Sequence, residues 1–323
     1  MESVETADLC IPPLNTSCRS MPVTPEVMFI KTLLSCITLL TVTLNLLVII
    51  SISHFRQLQT PTNLILLSLA VSDLLVGLTV MPPTITMLQS CWFQHKISCA
   101  LMYLSSFILT SASIGNMVLI SMDRYVAICY PLHYSSMVTP SRVKTCVSLC
   151  WTCSVIYSII LKDYFSQIDL SNSCYQECIV IINYISGTVD LLLTFFGPVT
   201  VIIVLYVRVF VVAVSQARVM RSQISAVKSH AVIVTKSEMR AALGIILLVF
   251  ILCLCPYHIP SPTGQDTTGG VESSVQIWLF YCNSSFNPLI NAFFYPWFRK
   301  AVKLIVSLQI LHPGSQEAKI MLR

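Results

Sequence analysis

The sequence predicts an all-α membrane protein: a seven-transmembrane helix bundle with a short amphipathic eighth helix. Three observations carry this. Of 323 residues, 55% are hydrophobic and only 10% charged, whereas a soluble domain carries about 25% charged residues. Seven apolar runs approach or exceed the roughly 20 residues that cross a bilayer as a helix. The 19 basic residues are sorted to one side of those runs. A soluble enzyme, a disulfide-rich secreted module and a disordered chain fit these figures poorly. The net charge of +5 is no sign of nucleic-acid binding, because the sorting accounts for it.

The chain divides into an extracellular tail (1–27), a bundle (28–295) and an amphipathic helix with a cytoplasmic tail (296–323). Residues 1–26 are polar and mildly acidic, with no apolar core behind a basic start, so they do not read as a cleavable signal. Asn15-Thr16-Ser17 is a glycosylation sequon on that tail. The predicted spans are 28–53, 63–88, 97–130, 143–161, 179–214, 238–259 and 272–295. Pro61 precedes the second, Pro131 follows the third, and Pro260-Ser261-Pro262 ends the sixth. After the seventh, residues 297–310 set Arg299, Lys300 and Lys303 beside Phe298, Val302 and Leu304. That pattern predicts a helix lying along the membrane face.

With the amino terminus outside, only Arg19, Lys31, Lys96 and Lys162 are external, and the other 15 basic residues are cytoplasmic. Basic residues concentrate on the inner side of membrane proteins, which puts the carboxyl terminus in the cytoplasm; the expected location of this multi-pass chain is the plasma membrane. Cys10, Cys18, Cys91, Cys99, Cys174 and Cys178 fall in external segments or at outer helix ends, where disulfides persist. Cys150 and Cys153 have the spacing of a redox or zinc pair, but they sit mid-helix with no histidine nearby, and packing is the better reading.

Ionisable residues in hydrocarbon are functional candidates by default. Asp73, deep in the second span, needs polar partners, and Asn45, Ser113, Asn283 and Asn287 lie at matching depths. One carboxylate among neutral oxygens suits a sodium ion, since hard cations prefer oxygen ligands. A proton-bearing or water-bridged network is the competing reading. Asp123-Arg124-Tyr125 ends the third span. There, an arginine that pairs with its neighbour and then releases it would act as a switch; the bland alternative is a solvated pair worth at most about 1 kcal/mol. Asp190 lies in the fifth span, eight residues before Pro198.

In order along the chain stand Asn45, Leu69-Ala70-Val71-Ser72-Asp73, Cys99, Asp123-Arg124-Tyr125, Trp151, Pro198, Pro256 and Asn287-Pro288. Together they resemble the rhodopsin-like (class A) G-protein-coupled receptors. The stretches 283–288 and 292–298, the run from His54 to Asn63, and Cys10-Ile11-Pro12 resemble, more narrowly, the trace amine-associated receptors. The resemblance implies a Cys99–Cys178 disulfide, with Cys174 joined to Cys18 or Cys10. It also implies a small amine ligand, a heterotrimeric G protein of the stimulatory or olfactory type, a lipid environment, and no cofactor beyond the sodium ion.

Most amine receptors hold the ammonium on an aspartate seven residues after the helix 3 cysteine. Here that position is Ser106, which accepts a hydrogen bond but neutralises no cation. The chain is similar in this to a fish-type subset that lacks the helix 3 acid and uses a helix 5 aspartate. Asp190 lies about two turns, roughly 12 Å, outward of Pro198, at pocket depth. The resemblance therefore points to Asp190 as the anchor, with Ser106, Phe107, Thr110, Tyr257, His258, Trp278 and Tyr281 around the ligand. Trp278 and Tyr281 offer aromatic faces to a cation. The alternative is that Asp190 pairs internally, with His258 as its partner.

The sequence departs from the family in three places. Leu254 stands where a tryptophan is expected before Pro256. Asn291 replaces the tyrosine of the seventh-span motif that would meet Tyr206, so the switch set becomes Asp123, Arg124, Tyr125, Tyr206, Asn287, Pro288 and Asn291. The outer end of the sixth span breaks early. A divergent receptor with little signalling of its own, or a neurotransmitter-type amine receptor, is the runner-up. A transporter or channel would predict internal repeats and interrupted paired helices, and the spans show neither.

Overall fold

The computed structural model describes residues 25–87, 96–164, 184–223, 252, 253, 255, 271–294, 296–318 and 320. Five of the described helices are long and apolar enough to cross a membrane. The first span is Pro25–His54; the second runs from Pro61 to Met87; the third is Lys96–Cys129; the fourth is Pro140–Tyr164. The fifth runs from Tyr184 to Gln223, and the seventh is Val271–Phe294. The predicted sixth span, 238–259, lies outside the described residues apart from 252, 253 and 255.

Two Thr-Pro pairs start helices by the same chemistry. Thr60 Oγ1 accepts from the Asn63 amide at 3.3 Å, and Thr139 Oγ1 from the Arg142 amide at 3.4 Å. Pro61 and Pro140 follow, at positions where the missing N–H costs nothing. Between them Tyr134–Met137 forms a short helix in the loop, unforeseen from hydropathy.

Neither the second nor the fifth span is a plain α-helix. Val76–Val80 forms a wide π turn, with the Met81 amide bonded to the Val76 carbonyl, just before Pro82-Pro83. Leu191–Phe196 forms another, with the Gly197 amide bonded to Leu192 O, just before Pro198. In both places the turn absorbs backbone that the prolines disrupt. Gly77 brings the first and second spans together, because a Cβ there would stand 2.9 Å from Val42 Cγ2.

Large apolar side chains such as Leu39 (67% exposed) and Leu149 (57%) cover the outer surface, as a bundle immersed in lipid requires. Inside, three apolar clusters stack from outer to inner face. Leu34, Met81, Leu109, Trp278 and Tyr281 form the outer one. Leu69, Ile114, Met117, Phe195 and Ile202 form the middle one, and Val48, Ile52, Phe55, Leu58, Trp297, Phe298 and Ala301 the inner one.

The amphipathic helix is Pro296–Val306, shorter than the predicted 297–310, and residues 309–311 turn as a 3-10 segment. Phe298 and Ala301 are buried while Arg299, Lys300 and Lys303 are exposed. The segment beyond folds back over the first cytoplasmic loop. Ile320 is buried in the inner cluster, its amide donates to Gln57 Oε1 at 3.2 Å, and Ser315 Oγ meets His54 Nε2 at 3.0 Å.

Candidate functional site

The outer layer is built where the second, third and seventh spans meet. Ser106 and Tyr281 are both buried, and their hydroxyls lie 2.8 Å apart. The position that carries an acid in most amine receptors is thus closed by a neutral hydroxyl pair. The Trp278 ring meets Tyr281 edge to face, centroids 6.4 Å apart, and its Nε1 is buried without a hydrogen-bond partner. Phe107 and Thr110 are half-buried on the third span. The structure therefore brings Ser106, Trp278 and Tyr281 together, with the two aromatic rings committed to packing.

Asp190 lies elsewhere. Its Oδ1 accepts a hydrogen bond from Tyr157 of the fourth span at 2.5 Å, and its main-chain carbonyl accepts from Thr194 Oγ1 at 2.7 Å. The two-turn count from Pro198 assumed 3.6 residues per turn. The wide turn at Leu191–Phe196 holds one extra residue, which rotates everything outward of it by up to about 100° relative to an ideal helix. The sequence marks only His258, by its ionisable ring, as an internal partner for Asp190. A lone phenol within Val155-Ile156-Tyr157-Ser158-Ile159 was the available signal.

One layer inward, Asp73 is fully buried. It accepts from Ser113 Oγ at 2.9 Å and Asn287 Nδ2 at 2.7 Å, tying the second, third and seventh spans. Two of its four expected partners are therefore in place. Asn45 instead donates to the carbonyls of Thr41 and Ser284. Asn283 donates to Met117 Sδ at 3.7 Å, leaving its Oδ1 buried and unpartnered. The Asp73 carboxylate with the Ser113 hydroxyl, and the orphaned Asn283 amide oxygen one helical turn before Asn287, are oxygen donors of the kind a hard monovalent cation takes. Among the described residues no cluster of three His, Cys, Asp or Glu side chains holds a metal, and Cys150 and Cys153 are free thiols.

At the cytoplasmic end, Arg124 Nη2 lies 2.6 Å from Asp123 Oδ2. The solvated-pair reading fails, since Asp123 is only 4% exposed. Tyr134 donates to Oδ1 at 2.8 Å, and Thr62 stands 3.1 Å from both oxygens. Burial pushes the Tyr134 phenol above its ordinary range, which keeps it a proton donor at neutral pH. Tyr125 packs edge to face on Tyr130, and Tyr206 OH accepts from Ser121 Oγ at 3.1 Å. Pro288 lies inside the seventh helix, one residue past Asn287.

Tyr257, His258, Leu254, Asn15, Cys10, Cys18, Cys174 and Cys178 lie outside the described residues, as do the side chains of Cys99 and Asn291.

Comparison with known proteins gives a consistent picture. Residues 44–290 match the 7 transmembrane receptor (rhodopsin family) model. The chain is 36% identical to trace amine-associated receptor 13c of Danio rerio, an alignment that covers 99% of this chain and 98% of that receptor. It is also 36% identical to trace amine-associated receptor 8b of Rattus norvegicus, over 98% of each. Against trace amine-associated receptor 1 of Macaca mulatta it is 33% identical, over 90% of this chain and 91% of that one.

Proposed function

The chain belongs to the trace amine-associated receptors, within the rhodopsin family of seven-transmembrane receptors, and from that premise we propose that it senses small extracellular amines and signals through a G protein. It is a multi-pass membrane receptor and not an enzyme. On this reading it sits in the plasma membrane with its amino terminus outside, serves olfaction, and engages a stimulatory or olfactory G protein to raise cyclic AMP.

The ligand's ammonium sits on Asp190. The observation that supports this is the kind of partner Asp190 has. A phenol orients a carboxylate without cancelling its charge, and the ion pairs among the described residues, Arg124–Asp123 and Arg56–Glu317, leave Asp190 out. Ser106 stands at the usual acid position and bonds Tyr281, and the acid of the third span, Asp123, lies at its cytoplasmic end, paired with Arg124, so it does not compete for the cation. A charged hydrogen bond to Asp190 contributes on the order of 1.5–3 kcal/mol. Binding then shifts a two-state bundle toward the form in which Arg124 leaves Asp123 and the cytoplasmic cleft opens.

The test is Asp190→Asn with an amine panel and a cyclic AMP readout. The response falls at least tenfold in potency at equal surface expression. An unchanged response sinks the anchor assignment.

Asp73, Ser113, Asn283 and Asn287 are the residues that would hold a sodium ion, which supplies a fixed positive charge between the second, third and seventh spans. Purified receptor is expected to melt at higher temperature in sodium than in choline salt, by a few degrees, with the difference lost in Asp73→Asn. Equal melting in both salts leaves a purely hydrogen-bonded network. The second reading, a receptor-like protein with little output, is favoured by Leu254 and Asn291, and an absent response to every amine at normal surface expression would select it.

A further inference from the structure

A groove of about 480 Å³ runs between the third, fourth and fifth spans, away from the Ser106–Tyr281 pair and the Asp73 layer. Its size falls within the range of small-molecule sites, about 300–1,000 Å³. Small side chains border the hollow: Gly115 on the third span, and Cys146, Cys150 and Cys153 on the fourth. A Cβ on Gly115 would collide with the Cys150 Sγ, so the two helices touch there and the space opens beside the contact. Along the fourth span it reaches from Cys146 to Tyr157, about 16 Å of helix.

The groove lies within apolar membrane-crossing helices. Leu149 and Leu193 on its walls are more than half exposed, so its mouth faces hydrocarbon and what fills it comes from the bilayer. No Lys, Arg, His, Asp or Glu lines it, which excludes a charged headgroup. Polarity is confined to neutral hydroxyls. Ser154 is turned to its own helix, donating to Cys150 O at 2.9 Å. At the outer end stand the Tyr157 and Thr194 hydroxyls, both of which also bond Asp190.

We propose that this groove is a binding site for a sterol-class lipid, a rigid uncharged body with a single hydroxyl placed near Tyr157 and Thr194. Rigidity decides between a sterol and an acyl chain. Confining a flexible chain costs rotamer entropy for each immobilised bond, and a fused ring system has already lost it. Because Tyr157 forms part of the wall and holds Asp190, occupancy of the groove fixes the carboxylate's orientation and so tunes amine potency. That coupling rests on the Asp190 reading above; the binding does not.

The experiment uses the full chain in phosphatidylcholine nanodiscs with a photoreactive cholesterol, the adducts being mapped by mass spectrometry. Adducts concentrate on 146–157 and 193–198, are competed by excess cholesterol, and fall at least fivefold in Cys153→Trp, which fills the groove from its exposed side. Cys153→Ala, which leaves it open, keeps them. Label spread evenly over the outer faces, or label that cholesterol does not displace, overturns the site. In cells, cholesterol depletion shifts amine potency at least threefold in the wild type and not in Cys153→Trp. Groove labelling with no potency shift overturns the coupling alone. If Asp190→Asn leaves the amine response intact while groove labelling persists, the anchor reading has failed and the lipid site stands.

Discussion

Asp123 accepts from Arg124, Tyr134 and Thr62 at once, although adjacency in the chain announced only the first. Each donor holds the carboxylate in the arrangement that keeps Arg124 bound, so on the proposed switch reading each is expected to stabilise the resting form. Removing the Tyr134 hydroxyl deletes a hydrogen bond to a charged group, about 1.5–3 kcal/mol, and Thr62 remains to limit the loss. Tyr134→Phe is therefore expected to raise basal cyclic AMP per surface receptor several-fold, and Asp123→Asn to raise it further. Basal output equal to wild type in both variants would mean that this cluster is structural only. The same logic explains why Tyr157 and Thr62 were not legible in the sequence while Arg124 was. A partner on another helix is selected by rotation about two helix axes, and spans that are apolar on every face carry no periodicity from which to read that rotation.

The terminal helix shows how far hydropathy carries an element. Its basic and apolar residues alternate on a helical period, so Phe298 inside and Lys300 outside follow from the sequence. The return of the tail does not, because a single isoleucine near the chain end carries no pattern. Ile320 nevertheless fills a place among Phe55, Leu58 and Phe298. Burying such a side chain contributes about 1.5–3 kcal/mol. Arg56 and Glu317, by contrast, lie 3.5 Å apart with side chains 69% and 77% exposed, an arrangement worth at most about 1 kcal/mol. Ile320→Ala should thus lower the melting temperature of purified receptor by a few degrees, and Glu317→Ala should leave it unchanged within error. A larger effect from Glu317→Ala would show that charge, not burial, fastens the tail. Helix ends were less legible: the second and fourth spans start at Pro61 and Pro140 and not at 63 and 143, and the wide turn before Pro198 rotates Asp190 away from where the residue count placed it.

At the scale of the molecule, the bilayer makes the fold legible. It demands long apolar segments and sorts their basic flanks, and both demands are met in the open sequence. The site is legible where a membrane-buried charge stands out, as at Asp73, Asp123 and Asp190. It is obscure where function depends on which of two packings is favoured, since that balance is a small difference between nearly equal states. Asn291 bears on that balance. Tyr206 bonds Ser121 in this structure, and in the family's active arrangement it would meet a tyrosine at position 291. On the proposed receptor reading, the shorter asparagine is expected to cost the active form about one hydrogen bond, some 0.5–1.5 kcal/mol, or roughly a two- to tenfold change in the equilibrium. Asn291→Tyr is accordingly expected to raise amine-evoked maximal cyclic AMP by a factor in that range, with Tyr206→Phe cancelling the gain. A gain that survives Tyr206→Phe, or no gain at all, would place the deficit elsewhere, with Leu254→Trp as the next substitution to measure.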